Sequence, residues 1–465
     1  MSLHKPQTQL LYPELEQALE AGDLEALEAL CDHLAVEDLA ELVDELEASL
    51  RVVFFSKIPL QTATDIFQQL SLPTQSEVLD SLPAAREAEI INEMDPDDRT
   101  ALLETLPIND TKQLLSFLKP RERAQAQKLL DFPEDSVGRL MTPDFLAIRQ
   151  EWTVARAMQF IRENGEDKET LNDIYVVDEK GRLLDDIRIR EFLLSAPECP
   201  VEDIMDGQYT ALPAMNPQEE AIQAFKKYNT LTALPVVDED GLLLGIVTID
   251  DILLLEEKET TEDIQKLGGV EALDTSYLEA PYWNMLRKRV GWLTGLFIGE
   301  MFTATAMSFY QGEISKAVVL ALFIPLILSS GGNSGSQATT LMIRAIALGE
   351  VTFADIWRVF RREILMGVGL GIILAVIGCL RIFVWGAAFH TYGPHYMILG
   401  MAVGVAIVGV VAWGTIVGAM LPIVLRRLGL DPATSSAPFV ATFIDVTGIV
   451  IYFNIAMFVM GGRLF

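Results

Sequence analysis

The sequence predicts an α-helical polytopic membrane protein, with five transmembrane helices behind a soluble half made of a helical solenoid and an α/β repeat. Three observations predict it: five long apolar runs after Val290, a leucine-rich opening punctuated by prolines, and a strand-and-helix unit that occurs twice between about 136 and 255. At 465 residues the chain has room for two to four domains.

Charge divides it in the same way. From Pro281 onward 12 Lys and Arg stand against 7 Asp and Glu, and the other 23 basic and 59 acidic residues leave residues 1–280 at −36. Such a field excludes nucleic acid and anionic lipid as partners of the front half. It favours multivalent cations, which bridge carboxylates, although an excess of acid also serves simply as a solvated surface. Three separated cysteines, Cys31, Cys199 and Cys379, give neither a disulfide framework nor a zinc motif and suit a reducing compartment. The N-terminal MSLHKPQTQLLYPELEQALEAGD has no apolar signal core, so the acidic half is expected to stay inside.

Residues 1–135 form the first expected domain. After the amphipathic LEQALEAGDLEALEALCDHL, leucine-rich units recur with Pro83, Pro96, Pro107, Pro120 and Pro133 at their joints. Each unit fits one short helix, stopped by the proline's missing donor, and stacked units make an acidic superhelix. MDPDDR (Met94–Arg99) sets three carboxylates at one helix start, where Asp is ordinary capping chemistry as well as a candidate ligand.

Residues 136–255 carry the longer repeat. VGRLMTPDFLAIRQEWTVARAMQFI…IYVVDEKGRLL is echoed by VEDIMDGQYTALPAMNPQEEAIQAF…LPVVDEDGLLLGIVTIDDIL, with Met141 answering Met205. The order is strand, helix, strand, turn, strand, helix. It resembles the paired cystathionine-β-synthase (CBS) module, and GIVTIDD matches that family's motif. The resemblance implies that Thr248 and Asp251 contact a nucleotide, with ATP the candidate. The first copy, LDDIRIREF, lacks the motif, and a purely structural module is the other reading.

Residues 256–280 connect this module to the membrane. LLLEEKETTEDIQKLGGVEAL reads as a long helix bearing Glu256, Glu257, Glu259, Glu262 and Asp263, followed by the basic Arg287–Arg289, and it reads either as a carrier of motion or as a solvated linker.

Residues 281–465 form the transmembrane domain, with spans near 290–309, 317–343, 364–385, 396–423 and 435–459. Arginines and lysines cluster before the first span, between the second and third, and between the fourth and fifth. The HTYGPHY loop has none. Positive-inside counting places the N-terminus in the cytoplasm and the C-terminus outside. Gly400/Gly404, Gly414/Gly418 and the glycines 367, 369 and 371 offer close helix contacts.

Two features of the spans are chemical. SSGGNSGSQATT, 329–340, interrupts an apolar run, and the expectation is a break near Gly331–Gly332 beside a wet cavity, with Asn333, Ser334, Ser336 and Gln337 facing it; polar glue between helices is the alternative. Asp445, in PFVATFIDVTGIVIYFN, is a carboxylate mid-span, costing about 2.5–3.5 kcal/mol to insert, and so must face a pore or a partner. Glu300 in the first span is a second acid expected to be buried, in a hydrogen-bonded structural role.

GGNSGSQ, PFVATFIDVTG, five spans, a paired CBS module and an acidic solenoid, in this order over nearly the whole chain, resemble the MgtE family of magnesium channels and transporters. The resemblance implies a homodimer in the bacterial inner (plasma) membrane, an inward-conducting Mg2+ pore and gating by intracellular Mg2+. It implies that Asp445 binds the ion, that Ala441 and Thr442 lie one turn before it, and that Asp431 in GLDPATSSAP meets the acidic connecting helix; Asn333 joins them as a pore candidate. Asp95, Asp250, Glu259, Glu262, Asp263 and Asp431 are then the candidate regulatory Mg2+ ligands. The alternatives are a divalent cation transporter of broader specificity (Mn2+, Co2+), a CBS-regulated anion channel, for which a central Asp without a basic partner is poor chemistry, and a membrane-anchored metal or nucleotide sensor that transports nothing. None of these readings makes the chain an enzyme.

Overall fold

Leucine-rich stretches only nine to eleven residues long, each bounded by a proline or a polar turn, dictate a stack of short helices at the front of the chain. In the computed structural model, which describes residues 5–228, 230–273, 277, 280–316 and 318–460, these are α1 (Lys5–Ala21), α2 (Leu24–His33), α3 (Val36–Asp44), α4 (Ala48–Lys57) and α5 (Leu60–Gln68). They continue as α6 (Leu72–Ser81), α7 (Ala84–Glu93), α8 (Pro96–Thr105), α9 (Ile108–Phe117) and α10 (Pro120–Leu130). From α3 to α10 each helix packs against the next but one, the arrangement of a superhelical solenoid. The prolines act differently from expectation. Pro83 and Pro107 are the N-caps of α7 and α9, and Pro96 and Pro120 open α8 and α10. They start helices rather than stop them, because the missing N–H is one of the donors that a first turn leaves unpaired anyway.

The repeat forms two three-stranded sheets of identical topology. After α11 (Val137–Leu140) come β1 (Ala147–Arg149), α12 (Val154–Asn164), β2 (Asp173–Val177), β3 (Leu183–Arg188) and α13 (Ile189–Leu194). The second copy has β4 (Leu212–Pro213), α14 (Glu219–Lys227), β5 (Ala233–Val237) and β6 (Leu243–Thr248). In each sheet the first two strands are parallel and the last two antiparallel, with a register shift at the same place, Val176/Val177 and Val236/Val237. The DEKG and DEDG turns each need a left-handed residue, supplied by Gly181 (φ 83°) and Gly241 (φ 80°). The first copy therefore keeps its fold without the GIVTIDD motif, because strand alternation rather than that motif builds it.

The chain forms two compact units, Met1–Glu256 and Glu257–Phe465. Helix α15 (Ile249–Leu267) begins on GIVTIDD and stops earlier than the sequence suggests. Gly269 adopts φ 70° and the amide of Val270 bonds the Gln265 carbonyl, a glycine-terminated helix end. Residues 274–276, 278 and 279 of the connecting segment lie outside the described residues.

Among the described residues five stretches are long and apolar enough to cross a membrane. They are α16 (Tyr282–Phe309), then α18 (Val318–Ala321) with α19 (Ile324–Ala347) after the short α17 (Gln311–Lys316), then α20 (Ile356–Phe389), α21 (Tyr396–Arg427) and α22 (Ala437–Met460). The expected break at Gly331–Gly332 does not occur: α19 runs unbroken through SSGGNSGSQATT. The interruption of this span sits at Leu322–Phe323 instead, where Pro325 in the first turn of α19 prevents continuation from α18.

The glycines serve contact rather than unwinding. Any Cβ on Gly331 would meet Val410, one on Gly335 would meet Ile444 and the carbonyl of Gly414, and one on Gly414 or Gly418 would strike the carbonyls of Gly331 or Gly335. Two small-xxx-small faces thus press backbone against backbone between α19 and α21, and Thr339 Oγ1 donates across the seam to the Gly418 carbonyl (2.9 Å). Gly418→Val is expected to cost about 3 kcal/mol by overpacking against backbone that cannot yield. The check is the amount of monodisperse protein extracted from membranes, and wild-type recovery would show that the seam is not rigid.

Candidate functional site

Helix α22 carries Ala441, Thr442 and Asp445 on successive turns, and its neighbours set what surrounds them. Gly332 of α19 faces Ala441, where an added Cβ would sit 3.5 Å from the alanine's own. Gly299 of α16 faces Thr442. The α16 and α22 pair is pinned at both ends, by Trp292 Nε1 donating to Ser436 Oγ (3.2 Å) and by Asn454 Nδ2 donating to Tyr310 Oη (3.0 Å). Between these pins Glu300 lies within hydrogen-bonding reach of Asp445. The expectation of a buried Glu300 is corrected, since it is exposed in the single chain; the hydrogen-bonding neighbour expected of it is the mid-span Asp445. The sequence signal was its depth in the first span, but no local motif tied it to a residue 145 positions on.

Asn333 lies on the exposed side of α19, with Nδ2 donating to Ser329 Oγ at 3.4 Å. Ser336 Oγ donates to the Ala437 carbonyl (3.2 Å), joining α19 to the start of α22. Ser334, in contrast, is buried and its hydroxyl finds no partner. The stretch therefore has one face given to packing and helix-to-helix hydrogen bonding, and another on which Ser329, Asn333, Gln337 and Thr340 are exposed.

Asp431 caps the turn Pro432–Thr434 by accepting from the Ala433 amide (2.8 Å). Its other oxygen pairs with Lys266 of α15 at 3.0 Å, and Glu262 pairs with the same lysine at 3.2 Å. Burial works against the Lys266 charge, but the two carboxylates outweigh it and raise its pKa. The acidic helix does reach the GLDPATSSAP turn, as expected, through a basic residue that charge counting overlooked. Glu259 and Asp263 lie on the same helix.

In the first unit the MDPDDR carboxylates meet those of the repeat. Asp95 is the N-cap of α8 but makes no side-chain cap bond, so ordinary capping does not account for it; it accepts from Gln68 Nε2 (2.7 Å). Asp97, Asp98, Glu169, Asp250 and Asp251 lie within mutual electrostatic reach. Burial, then the neighbouring acids, pushes Asp98 up to about 7, Glu169 to about 8 and Asp251 to about 6, and Asp97 well above its ordinary value. Asp97 Oδ1 is buried and without a hydrogen bond. Arg99 donates to the Ile91 and Met94 carbonyls at the end of α7 and works against the rise only weakly, as the last of the influences on Asp95. Among the described residues no three of these side chains form a ready metal cage. The sequence had pointed to Asp95 and Asp250; Glu169, in a loop remote in sequence from both, carried no signal.

Thr248 Oγ1 donates to Asp251 Oδ2 at 2.6 Å, and Thr248 is buried. The two residues that the CBS motif assigns to a nucleotide are thus engaged with each other at the start of α15.

Comparison with known proteins bears on all of these sites. A divalent cation transporter family model matches residues 324–455, the intracellular N domain model of the MgtE proteins matches 34–135, and the CBS domain model matches 137–196 and 201–257. The chain is 39% identical over 445 residues to the magnesium transporter MgtE of Thermus thermophilus, covering 95% of this chain and 97% of that one. To the magnesium transporter MgtE of Bacillus subtilis it is 30% identical over 427 residues, covering 91% and 86%. Among solved structures, the cytosolic domain of the Mg2+ channel MgtE in complex with ATP is 36% identical, with TM-score 0.50, over 53% of this chain and 100% of that one.

Proposed function

The chain belongs to the MgtE family of divalent cation transporters, and on that footing we propose that it imports Mg2+ across a bacterial membrane and is closed by intracellular Mg2+ bound to its acidic residues. The family is one of membrane ion transporters, and the chain is multi-pass. Residues 1–135, 136–255, 256–280 and 281–465 act in this reading as sensor, CBS module, connecting helix and pore. The arginine clusters favour a cytoplasmic soluble half and an outer C-terminus.

The single observation that carries the reading is the carboxylate pair at membrane depth, Asp445 with Glu300 beside it. An intramembrane acid marks an ion path by default. Mg2+ is small, gives up its waters reluctantly and suits one or two carboxylates that accept hydrogen bonds from its hydration shell. Thr442 and Asn333 add neutral acceptors. A homodimer would present two such sets to one ion.

Closure rests on the acidic groups. The clustered, mutually repelling carboxylates of Asp95, Asp97, Asp98, Glu169, Asp250 and Asp251, half-buried except for the exposed Asp95 and Asp250, bind a divalent cation better when held close, so the ion shifts the population toward the compact state. The Glu262 and Asp431 pair, now shared with Lys266, is a second site at which Mg2+ would compete with an ammonium. ATP is the ligand of the similar cytosolic domain; here Thr248 and Asp251 would have to part to take it.

Flux into liposomes tests the proposal. Uptake should follow Mg2+, persist when chloride is replaced by gluconate, and fall as Mg2+ is raised on the cytoplasmic side; equal uptake of Mn2+ and Co2+ would favour the broader cation transporter. Asn333→Leu should lower Mg2+ uptake with folded protein undiminished, since α19 is already a continuous helix. Unchanged uptake would assign Asn333 to packing alone.

A further inference from the structure

The arginine-bearing ends of the second and fourth spans enclose a cavity that the transport reading does not use. It has a volume of about 310 Å3 and lies between Ile346 at the end of α19, the turn Val351–Phe353, and Ile423, Arg426 and Arg427 at the end of α21. Its walls are aliphatic and aromatic, and its polar rim is two guanidinium groups. Cations at a helix C-terminus are ordinary dipole chemistry, but two further features go beyond it. The Arg427 guanidinium lies 4.2 Å from the centre of the Phe353 ring, which holds it at the cavity mouth. Neither Arg426 nor Arg427 has an ion pair among the described residues, and the nearby acid on the turn, Asp355, is engaged by the Thr352 amide (3.2 Å), the Thr352 hydroxyl (2.9 Å) and Arg358 (3.4 Å).

We propose that this cavity binds an anionic phospholipid of the adjoining leaflet, its phosphate taken by Arg426 and Arg427 and the first part of an acyl chain laid along Ile346, Val351 and Ile423. Guanidinium forks match phosphate oxygens in pairs, and a basic pocket between helix ends at the membrane surface is the setting in which lipid headgroups are recognised. An apolar slot under the charges is what a free phosphate ion would not need.

The test adds phosphatidylglycerol, phosphatidylcholine or inorganic phosphate to the full chain in detergent and reads the thermal midpoint. Phosphatidylglycerol should raise it and the other two should not. Arg426→Gln with Arg427→Gln should lose about half or more of that rise, and Val351→Trp, which keeps both charges but fills the slot, should lose it as well. The control Arg361→Gln with Arg362→Gln neutralises two exposed arginines away from the cavity and should keep it. A rise that survives either cavity variant, that the control loses equally, or that phosphate or phosphatidylcholine reproduces, would overturn the proposal.

Discussion

Asp445→Ala is expected to abolish Mg2+ uptake into liposomes while the protein remains folded and inserted. Removing a carboxylate from mid-span relieves an insertion cost of about 2.5–3.5 kcal/mol, so a loss of flux cannot be blamed on instability. Asp445 packs on a helix held by Trp292, Ser436, Tyr310 and Asn454, none of which depends on its charge. Asp445→Asn keeps the shape and removes the charge, and full uptake by that variant would take Asp445 out of the mechanism. Glu300→Gln should give a partial loss, because Glu300 stands beside Asp445 on the neighbouring span and supplies field rather than the central acceptor. Uptake by Glu300→Gln at the wild-type rate would return Glu300 to a packing role.

How much of this was legible depended on whether the deciding contacts were local. The spans, the solenoid units and the duplicated sheet are written in periodicity, and the VVDE tetrads at 176 and 236 land on equivalent bulges. Asp445 announced itself as a charge where charge is costly. The glycine-rich stretch was misread as a break because its partner glycines, Gly414 and Gly418, lie some eighty residues away. Composition alone cannot distinguish a helix weakened by glycine from one thinned to touch another backbone. The same holds for Lys266, one cation on an acidic helix whose importance comes from meeting Asp431, and for Glu169, placed among other acids only by folding.

The remaining large effect concerns closure, and its sign follows from the repulsion within the first unit. Asp95→Asn with Asp98→Asn and Asp250→Asn removes three acids from a group that includes the half-buried Asp97 and Glu169. Two consequences oppose each other. Less repulsion favours the compact state without Mg2+, whereas fewer ligands leave the ion little extra affinity for it. Resting openness therefore moves in whichever direction the larger loss dictates, but the steepness of the Mg2+ response must fall in either case. pH gives an independent sign. Burial and then neighbouring acids push Asp98 up to about 7 and Glu169 to about 8, and burial pushes Asp251 to about 6 against the opposing Thr248 hydrogen bond. For a carboxyl raised on folding, stability is fullest below the unfolded value near 4 and is lost as the pH climbs through the folded one. Metal-free protein should accordingly become easier to cleave by protease as the pH rises from about 4 to about 8, and protection by added Mg2+ should grow over the same interval as protons cease to compete. Protease sensitivity and channel opening across a Mg2+ titration, for wild type and the triple variant, read both effects. Should the variant titrate at the wild-type Mg2+ concentration with the wild-type slope, these carboxylates are a solvated surface, and closure must be sought at Glu262, Lys266 and Asp431 instead.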